Sequence, residues 1–347
     1  MMAWTPAWSS KITGPVASLV AGSGWCMLGH ERRLTLMADD GAHRWTHDLL
    51  FTPHRVVVAG AHVGVLAAHG FTVHRFDDGT PVNEGRAVSR GFSALVARPG
   101  GGWLASGREG DLHLFTKEGR GRSRVSRAPV RALIGWLDRD QAIVHDHDGV
   151  LRLVHVGSGE DLAAYGEERW TWVSSLDRDG MLMRGPDGML HRGVPGASGW
   201  DRIERVESDV LEPTSAVRTA TGWVLLELDG RIMSASDGGL VHEGAMMSDP
   251  VLLLDGDGAE TLFGATRDGL VRCWYGGERE RIEREARRAL VADGRRAADW
   301  AQRRRRFEAA VEAEERADWS TAALHYEALG RDDDAERVRR RGGLADD

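Results

Sequence analysis

Short apolar runs recur along residues 1–277, and pairs of them flank an acidic or histidine residue followed by glycine. The glycines of these steps are Gly70, Gly110, Gly149, Gly188, Gly230 and Gly269. Such a step between apolar runs is a strong hairpin signal, because glycine reaches the positive φ of a tight primed turn at no steric cost. The pattern predicts a hairpin at each step. It also predicts a further copy centred on Glu31 that lacks the glycine.

A second set of glycines marks the next turn of every repeat. Its members are Gly41, Gly79, Gly119, Gly159, Gly196, Gly239 and Gly277. The two sets of glycines recur with the same spacing along the chain. Each repeat of roughly 40 residues has room for three or four strands, as in a propeller blade. Because one blade cannot bury both faces of its sheet, blades pack around an axis until the ring closes. We therefore expect an all-β, seven-bladed β-propeller over residues 14–277.

The seventh repeat lacks its outer strand, since the chain changes to a helical pattern after Trp274. An unpaired sheet edge at that point would favour aggregation. Residues 1–13 precede the first repeat and are free to supply the missing strand. We expect this N-terminal strand to pair with the seventh blade and close the ring.

Residues 278–347 have the apolar spacing of helices. The expected helices are one over 279–292 that breaks at Asp293 and Gly294, a longer one to about Arg316, one over 319–329 and a last one ending at Arg341. Asp318 is a candidate N-cap for the third helix, and Gly330 is a candidate for its C-terminal glycine.

The stretch 307–330 resembles one tetratricopeptide unit, with Trp319 and Tyr326 among its aromatic residues. One unit is fewer than the roughly three repeats of a stable array. The helical tail must therefore pack on the propeller, dimerise or dock onto a partner. Docking and self-packing both stay open at this point.

Composition and charge narrow the class of protein. Hydrophobic residues make up 41% of the chain, and the formal net charge of −8 offers no attraction for nucleic acid or an anionic membrane. The N-terminus lacks a signal-peptide pattern, and no stretch approaches the roughly 20 apolar residues that span a bilayer. Cys26 and Cys273 lie in apolar, strand-like segments, as expected of free buried thiols. We expect a soluble cytoplasmic protein, and the preference for arginine over lysine indicates a GC-rich bacterial genome.

Some turns carry a family resemblance. Asp39, Asp40 and Gly41 with Trp45, and the segment 77–80, resemble the turn of quinoprotein-like repeats. Over residues 14–277 the chain resembles the broad class of WD40-like and quinoprotein-like propellers. A bacterial propeller with a helical extension also resembles the propeller component of MoxR–vWA–β-propeller ternary systems. That resemblance implies a MoxR-type AAA+ ATPase and a von Willebrand A protein as partners.

The search for catalytic or metal chemistry finds no complete motif. His145 and His147 could share one face of a strand, but a metal site needs a third ligand, and Asp148 fits an ordinary hairpin turn. The four arginines at 303–306 could contact nucleic acid, yet Glu308 follows Arg304 at the spacing of a helical ion pair. We therefore expect no enzyme activity, no cofactor and no metal.

The loops that lead into the innermost strands gather around one mouth of a propeller channel. We expect the partner-binding residues there to be Phe51, His54, Arg90, Phe92, Arg127, Arg131, Trp170 and Trp172. Trp172 is a candidate for the core between blades, and Trp170 is expected to be the more exposed of the two. The leading hypothesis is a protein-interaction scaffold that uses the propeller face and the tail. The alternatives are an enzyme or small-molecule binder that uses the channel, and a nucleic-acid binder.

Overall fold

The computed structural model describes residues 4–68, 70–83, 91–128, 130–177, 179–208, 210, 212–220, 222–235, 240–242 and 251–344. The chain divides into two compact units, Met1–Arg279 and Glu280–Asp347. We call them the propeller unit and the helical unit.

Within these ranges the propeller unit forms seven four-stranded antiparallel sheets, as expected of a seven-bladed propeller. Blade 1 is β2 (Val16–Gly22), β3 (Trp25–His30), β4 (Arg33–Ala38) and β5 (His43–Asp48). Blade 2 is β6 (Pro53–Ala59), β7 (His62–Ala67), β8 (Gly70–Arg75) and β9 (Pro81–Asn83). Blade 3 is β10 (Phe92–Ala97), β11 (Trp103–Gly107), β12 (Asp111–Phe115) and β13 (Gly121–Ser126).

The remaining blades continue in chain order. Blade 4 is β14 (Val130–Trp136), β15 (Gln141–Asp146), β16 (Leu151–His155) and β17 (Asp161–Ala164). Blade 5 is β18 (Trp172–Val173), β19 (Met181–Arg184), β20 (Leu190–Pro195) and β21 (Trp200–Val206). Blade 6 is β22 (Pro213–Thr219), β23 (Gly222–Glu227), β24 (Ile232–Ser234) and β25 (Leu240–His242). Blade 7 is β26 (Val251–Gly256), β27 (Thr261–Thr266), β28 (Leu270–Gly276) and β1 (Trp4–Lys11).

The first strand of the chain completes the last blade. β1 pairs antiparallel with β28, and the pairing runs from Trp4 opposite Gly276 to Lys11 opposite Leu270. The backbone N–H of Ile12 extends the pairing by donating to the Gly269 carbonyl at 3.0 Å. This is the strand pairing that the sequence pattern predicted, and it covers the edge of β28.

Buried apolar side chains fill the interface between each blade and the next. Trp103 and Phe71 meet between blades 2 and 3, for example, and Trp274 lies between blades 6 and 7. Cys26 and Cys273 are buried thiols at the interface of blades 7 and 1 and form no disulfide, and burial raises the pKa of Cys26 to about 12. Since a fully buried large apolar side chain contributes about 1.5–3 kcal/mol, these interfaces are the main stabilising feature of the ring.

The hairpins at the glycine steps of blades 3–7 differ from the predicted primed turns. The Gly149 N–H donates to the Asp146 carbonyl at 3.1 Å, and Gly149 has φ +88°. Positive φ falls on the glycine and not on Asp148, so the loop has three residues and ends in a left-handed glycine. The Asp148 carboxylate accepts the Val150 N–H at 3.0 Å, which explains why aspartate precedes the glycine. At the copy without glycine, Glu31 itself takes φ +46°.

After β28 the chain forms one long helix and two short helices. α1 is Gly277–Glu315, α2 is Trp319–Glu327 and α3 is Asp332–Arg341. The expected break at Asp293 and Gly294 is wrong, because α1 continues through both residues. One glycine costs a helix only about 1 kcal/mol relative to alanine, and strong helix formers flank this one. Within the described residues, no helix is both long and apolar enough to cross a membrane.

Local signals end the short helices as predicted. Asp318 caps α2, since its side chain accepts the Thr321 N–H at 3.2 Å. Gly330 has φ +68°, and its N–H donates to the Glu327 carbonyl while the N–H of Arg331 reaches the Tyr326 carbonyl. This pair of bonds is a Schellman motif with Gly330 at C′.

The arginine run at 303–306 is largely paired. Arg304 bonds Glu308 at 2.9 Å, as the spacing predicted, and Arg306 donates to the Ala328 carbonyl at 3.3 Å. The run therefore forms part of an ion-paired helix surface.

Candidate functional site

A repeated β-bulge shapes one end of the channel. In blades 1–4, 6 and 7 the innermost strand shifts its register directly after its first residue. A bulge leaves one residue out of the ladder and redirects its side chain. The bulged residues are Ala17, His54, Ser93, Arg131, Thr214 and Leu252, and all of them are exposed. We call this set the mouth ring, because each member stands at the start of an innermost strand.

The channel itself contains a cavity of about 370 Å³. β2, β6, β18, β22 and β26 line it, so five blades contribute to one wall. His54 and Leu252 of the mouth ring belong to the lining, and Trp172 adds an aromatic surface. The volume lies in the range of small-molecule sites.

Two opposite charges face this cavity. Asp255 accepts the Ala21 N–H and the Gly256 N–H, each at 2.9 Å, and the first of these bonds joins blade 7 to blade 1. Burial raises the pKa of Asp255 to about 6. Desolvation by the channel wall lowers the pKa of Arg55, and the negative charge of Asp255 partly offsets this shift. The Arg55 side chain is exposed to the lumen of the channel. The two groups form no ion pair with each other.

Three of the predicted binding residues lie at or near the channel mouth. His54 and Arg131 are members of the mouth ring, and Trp172 is half-buried in the channel wall. Trp172 also packs against the core between blades 5 and 6, so it belongs to both the core and the lining. Arg90 lies outside the described residues.

Two predicted aromatic residues are buried instead. Trp170 is 1% exposed, so the expectation that it is the more exposed tryptophan is wrong. Its ring fills the core between blades 4 and 5 and meets His191 edge-on at 5.3 Å, and its carbonyl is bonded to His145 at 3.0 Å. Phe92 is 3% exposed, because as the first residue of β10 it precedes the bulge and points into the core between blades 2 and 3. Neither ring is accessible to a partner.

Arg127 is also withdrawn from the surface. Its side chain is 6% exposed and pairs with Asp146 at 3.2 Å and Asp161 at 2.8 Å. Arg152 bonds the same Asp146 at 2.6 Å. These pairs hold the strands of blade 4 together and leave Arg127 a structural role.

Phe51 lies in the loop before β6 and lines a different, apolar cavity of about 210 Å³. Its neighbour Leu50 is 65% exposed. Phe51 therefore does not share the channel cavity with His54, although only two residues separate them.

The predicted His145 to Asp148 cluster has ordinary structural roles. His145 bonds the Trp170 carbonyl, and burial lowers its pKa. Asp146 pairs with arginines, and Asp148 occupies the hairpin turn as predicted. Among the described residues, no group of three or more His, Cys, Asp or Glu side chains is arranged to hold a metal ion.

Sequence reasoning missed Arg55, Asp255 and Leu252. A usable signal exists for the first two, since each is a single charged residue within an otherwise apolar innermost strand. The bulge that exposes Leu252 leaves no mark in the sequence.

The fold is similar to that of solved propellers. BBS1N, crystallised in complex with ARL6DN, has a TM-score of 0.57 and 15% identity, over 79% of this chain and 96% of that one. BamB from Moraxella catarrhalis has a TM-score of 0.51 and 14% identity, over 79% of this chain and 100% of that one. No family model matches the chain. No curated protein matches it either. At these identities the likeness shows the seven-bladed fold alone.

Proposed function

We propose that this protein is a non-enzymatic, protein-binding propeller whose mouth ring docks a partner protein. The observation that carries the proposal is the repeated bulge, which turns His54, Arg131 and Leu252 outward at the same level of successive blades. A ring of mixed basic, polar and apolar side chains suits protein recognition, in which apolar and arginine anchors dominate. The proposal is supported by BBS1N, a protein of similar fold that was crystallised in complex with a partner protein, ARL6DN.

The helical unit supplies a second surface in this proposal. Leu324 of α2 is 63% exposed, and Phe307 of α1 is 39% exposed. The tetratricopeptide-like order of the unit supports docking of a peptide or helix. The specific partners that we propose are a MoxR-type ATPase and a von Willebrand A protein in a bacterial cytoplasm, and their support is the architectural resemblance.

A binding experiment with a matched control tests the proposal. Leu252 and Leu162 are similarly exposed, at 42% and 44%, but Leu252 belongs to the mouth ring and Leu162 to the outer strand β17. We expect purified MoxR-type and von Willebrand A proteins from the same genome to bind the full chain in surface plasmon resonance. Leu252→Glu should weaken binding at least about tenfold, as expected for a central interface residue, and Leu162→Glu should not. Equal effects of both variants would refute docking at the mouth ring.

A small-molecule site in the channel is a second candidate function, and the cavity beneath the mouth ring favours it. The two sites share His54 and Leu252, while Arg55 and Asp255 belong to the cavity and not to the mouth ring.

A further inference from the structure

Arg55 lines the channel, and it differs from several more buried arginines of the propeller unit. Arg127, Arg152 and Arg218 each bond a carboxylate. The Arg55 guanidinium makes no hydrogen bond or ion pair with any residue that the structure describes. Its five N–H donors therefore face the lumen, in surroundings that already disfavour its charge.

Asp255 does not neutralise Arg55 directly. Each oxygen of its carboxylate already accepts a backbone N–H. In the shared register of the innermost strands, Asp255 lies two residues further along β26 than Arg55 does along β6, which is about 7 Å deeper in the channel. Arg55 and Asp255 line the same cavity, and the space between the two charges is filled by no side chain that the structure describes.

The wall around this space combines polar and apolar side chains, and its exposed surface is mainly polar. Trp172, Val173 and Leu253 form its apolar part, and the hydroxyl of Ser215 donates to the Leu254 carbonyl. The apolar part can hold the small apolar body of a ligand that also carries a charged group. The negative charge of Asp255 disfavours a ligand with two negative charges, such as a phosphate monoester.

We propose that the channel binds a small monocarboxylate, with the carboxylate on the Arg55 guanidinium and the apolar body against Trp172 and Leu253. The guanidinium fork matches a planar carboxylate through two parallel hydrogen bonds. A cavity of about 370 Å³ accommodates a ligand of the size of a substituted benzoate. The carboxylate could belong to a free molecule or to the last residue of a bound polypeptide. This proposal does not depend on protein docking at the mouth ring.

Isothermal titration of the full chain with benzoate tests the proposal, with benzamide as the neutral analogue and inorganic phosphate as the dianion. We expect saturable benzoate binding with a Kd below about 10 mM, and no binding of benzamide or phosphate. Arg55→Gln should weaken benzoate binding at least about tenfold, as expected for charged hydrogen bonds. Arg202→Gln, at an exposed arginine of the outer strand β21, should leave it unchanged.

Further variants keep the test decisive. If Arg55→Gln does not fold, Arg55→Lys retains the charge and should still weaken binding, because it loses the planar fork. A short peptide ending in a free phenylalanine carboxylate distinguishes the two sources. If it binds more tightly than benzoate and its amide does not bind, the natural ligand is a polypeptide terminus. Absence of saturable benzoate and peptide binding, or equal binding of benzamide, would overturn the proposal.

Discussion

The propeller unit and the helical unit bury their apolar side chains in different ways. The propeller has large side chains such as Trp103, Trp274 and Phe263 between blades, and these contacts join residues far apart in the chain. The core of the helical unit consists mainly of alanines from three helices, together with Tyr326 and Val338. The first unit is therefore stabilised by long-range packing around a closed ring. The second has little apolar surface to bury, so its local hydrogen bonds carry more weight.

The helix ends of the helical unit show this local character. All three helices end in paired bonds of the Schellman type, including those from Asp318 to the Ala313 carbonyl and from Ala317 to the Glu314 carbonyl. An ion pair between Arg337 and Glu314 at 2.9 Å joins α3 to α1. Four experiments test this difference between the two units.

Removing residues 1–12 should have the largest effect, and it should be confined to the propeller. The deletion takes away β1 and Ile12, so that β28 becomes an unpaired edge and the cluster of Cys26 and Cys273 loses its cover. We expect the melting temperature of the propeller to fall by more than about 10 °C in calorimetry, since each kcal/mol moves a large domain by about 2–4 °C. Truncation after residue 331, which removes α3, is the control and should leave the propeller transition in place. An unchanged melting temperature would refute the role of β1 in ring closure.

Two tryptophans allow a comparison of the ring closure with an ordinary interface between blades. Trp8 donates to the Asp39 carbonyl at 2.6 Å across the closure, and Trp45 donates to the Phe76 carbonyl at 3.2 Å between blades 1 and 2. Each ring also covers the glycine of the neighbouring turn. We expect each Trp→Ala variant to lose about 3–5 kcal/mol of unfolding free energy, measured by urea denaturation. A much larger loss for Trp8→Ala would show that the closure is the weakest interface of the ring.

Asp255 of the propeller unit and Glu314 of the helical unit should contribute to the pH dependence of stability with opposite signs. The folded pKa of Asp255 is about 6, above the ordinary value of 3.8, so its contribution is complete at low pH and is lost as pH rises through 6. The Asp255→Asn variant should lack this loss, which amounts to at most about 3 kcal/mol. In the helical unit, the Arg337 hydrogen bond lowers the pKa of Glu314, so its contribution is present above the ordinary value and is lost on acidification.

Denaturation curves between pH 4 and 8 measure both trends. Burial lowers the pKa of His30 and His74, so the wild-type propeller also loses stability in acid. The difference in unfolding free energy between wild type and Asp255→Asn at each pH isolates the contribution of the Asp255 carboxylate. Parallel curves for wild type and variant would contradict the assignment.

Two residues in a left-handed conformation allow the smallest and best matched comparison. Glu31 has φ +46° in a propeller hairpin, and Ala317 has φ +59° at the end of α1. Glycine relieves this strain but has more freedom in the unfolded chain, so each substitution should stabilise its unit by up to about 1 kcal/mol. Thermal unfolding of Glu31→Gly and Ala317→Gly measures the gain. The Gly149→Ala variant is the control in the opposite direction and should destabilise the propeller.

Much of the fold followed from local features of the chain. Alternating apolar runs predict strands, and glycine before the next run marks where positive φ is needed, so seven repeats and their turns could be counted without tertiary information. The N-terminal strand could be placed because a repeat architecture leaves one open edge. Asp318 and Gly330 act within one helical turn, and for that reason their roles were also predictable.

The candidate site was less predictable, because burial depends on the neighbouring blade. Trp170 and Trp172 are two residues apart, yet the first fills an interface and the second lines the channel. His54 and Arg131 were placed correctly near the mouth. Arg127 was not, because its carboxylate partners belong to other strands of its blade.

The amino-acid sequence is enough to predict the number of blades, the position of the turns and the closure of the ring, since these depend on backbone preferences and strand period. Which side chains are accessible at the channel depends on the tertiary structure. A bulge of one residue reverses the direction of a side chain, and the packing of one blade against the next determines whether that side chain meets water or core. The exposure of the mouth ring has this origin.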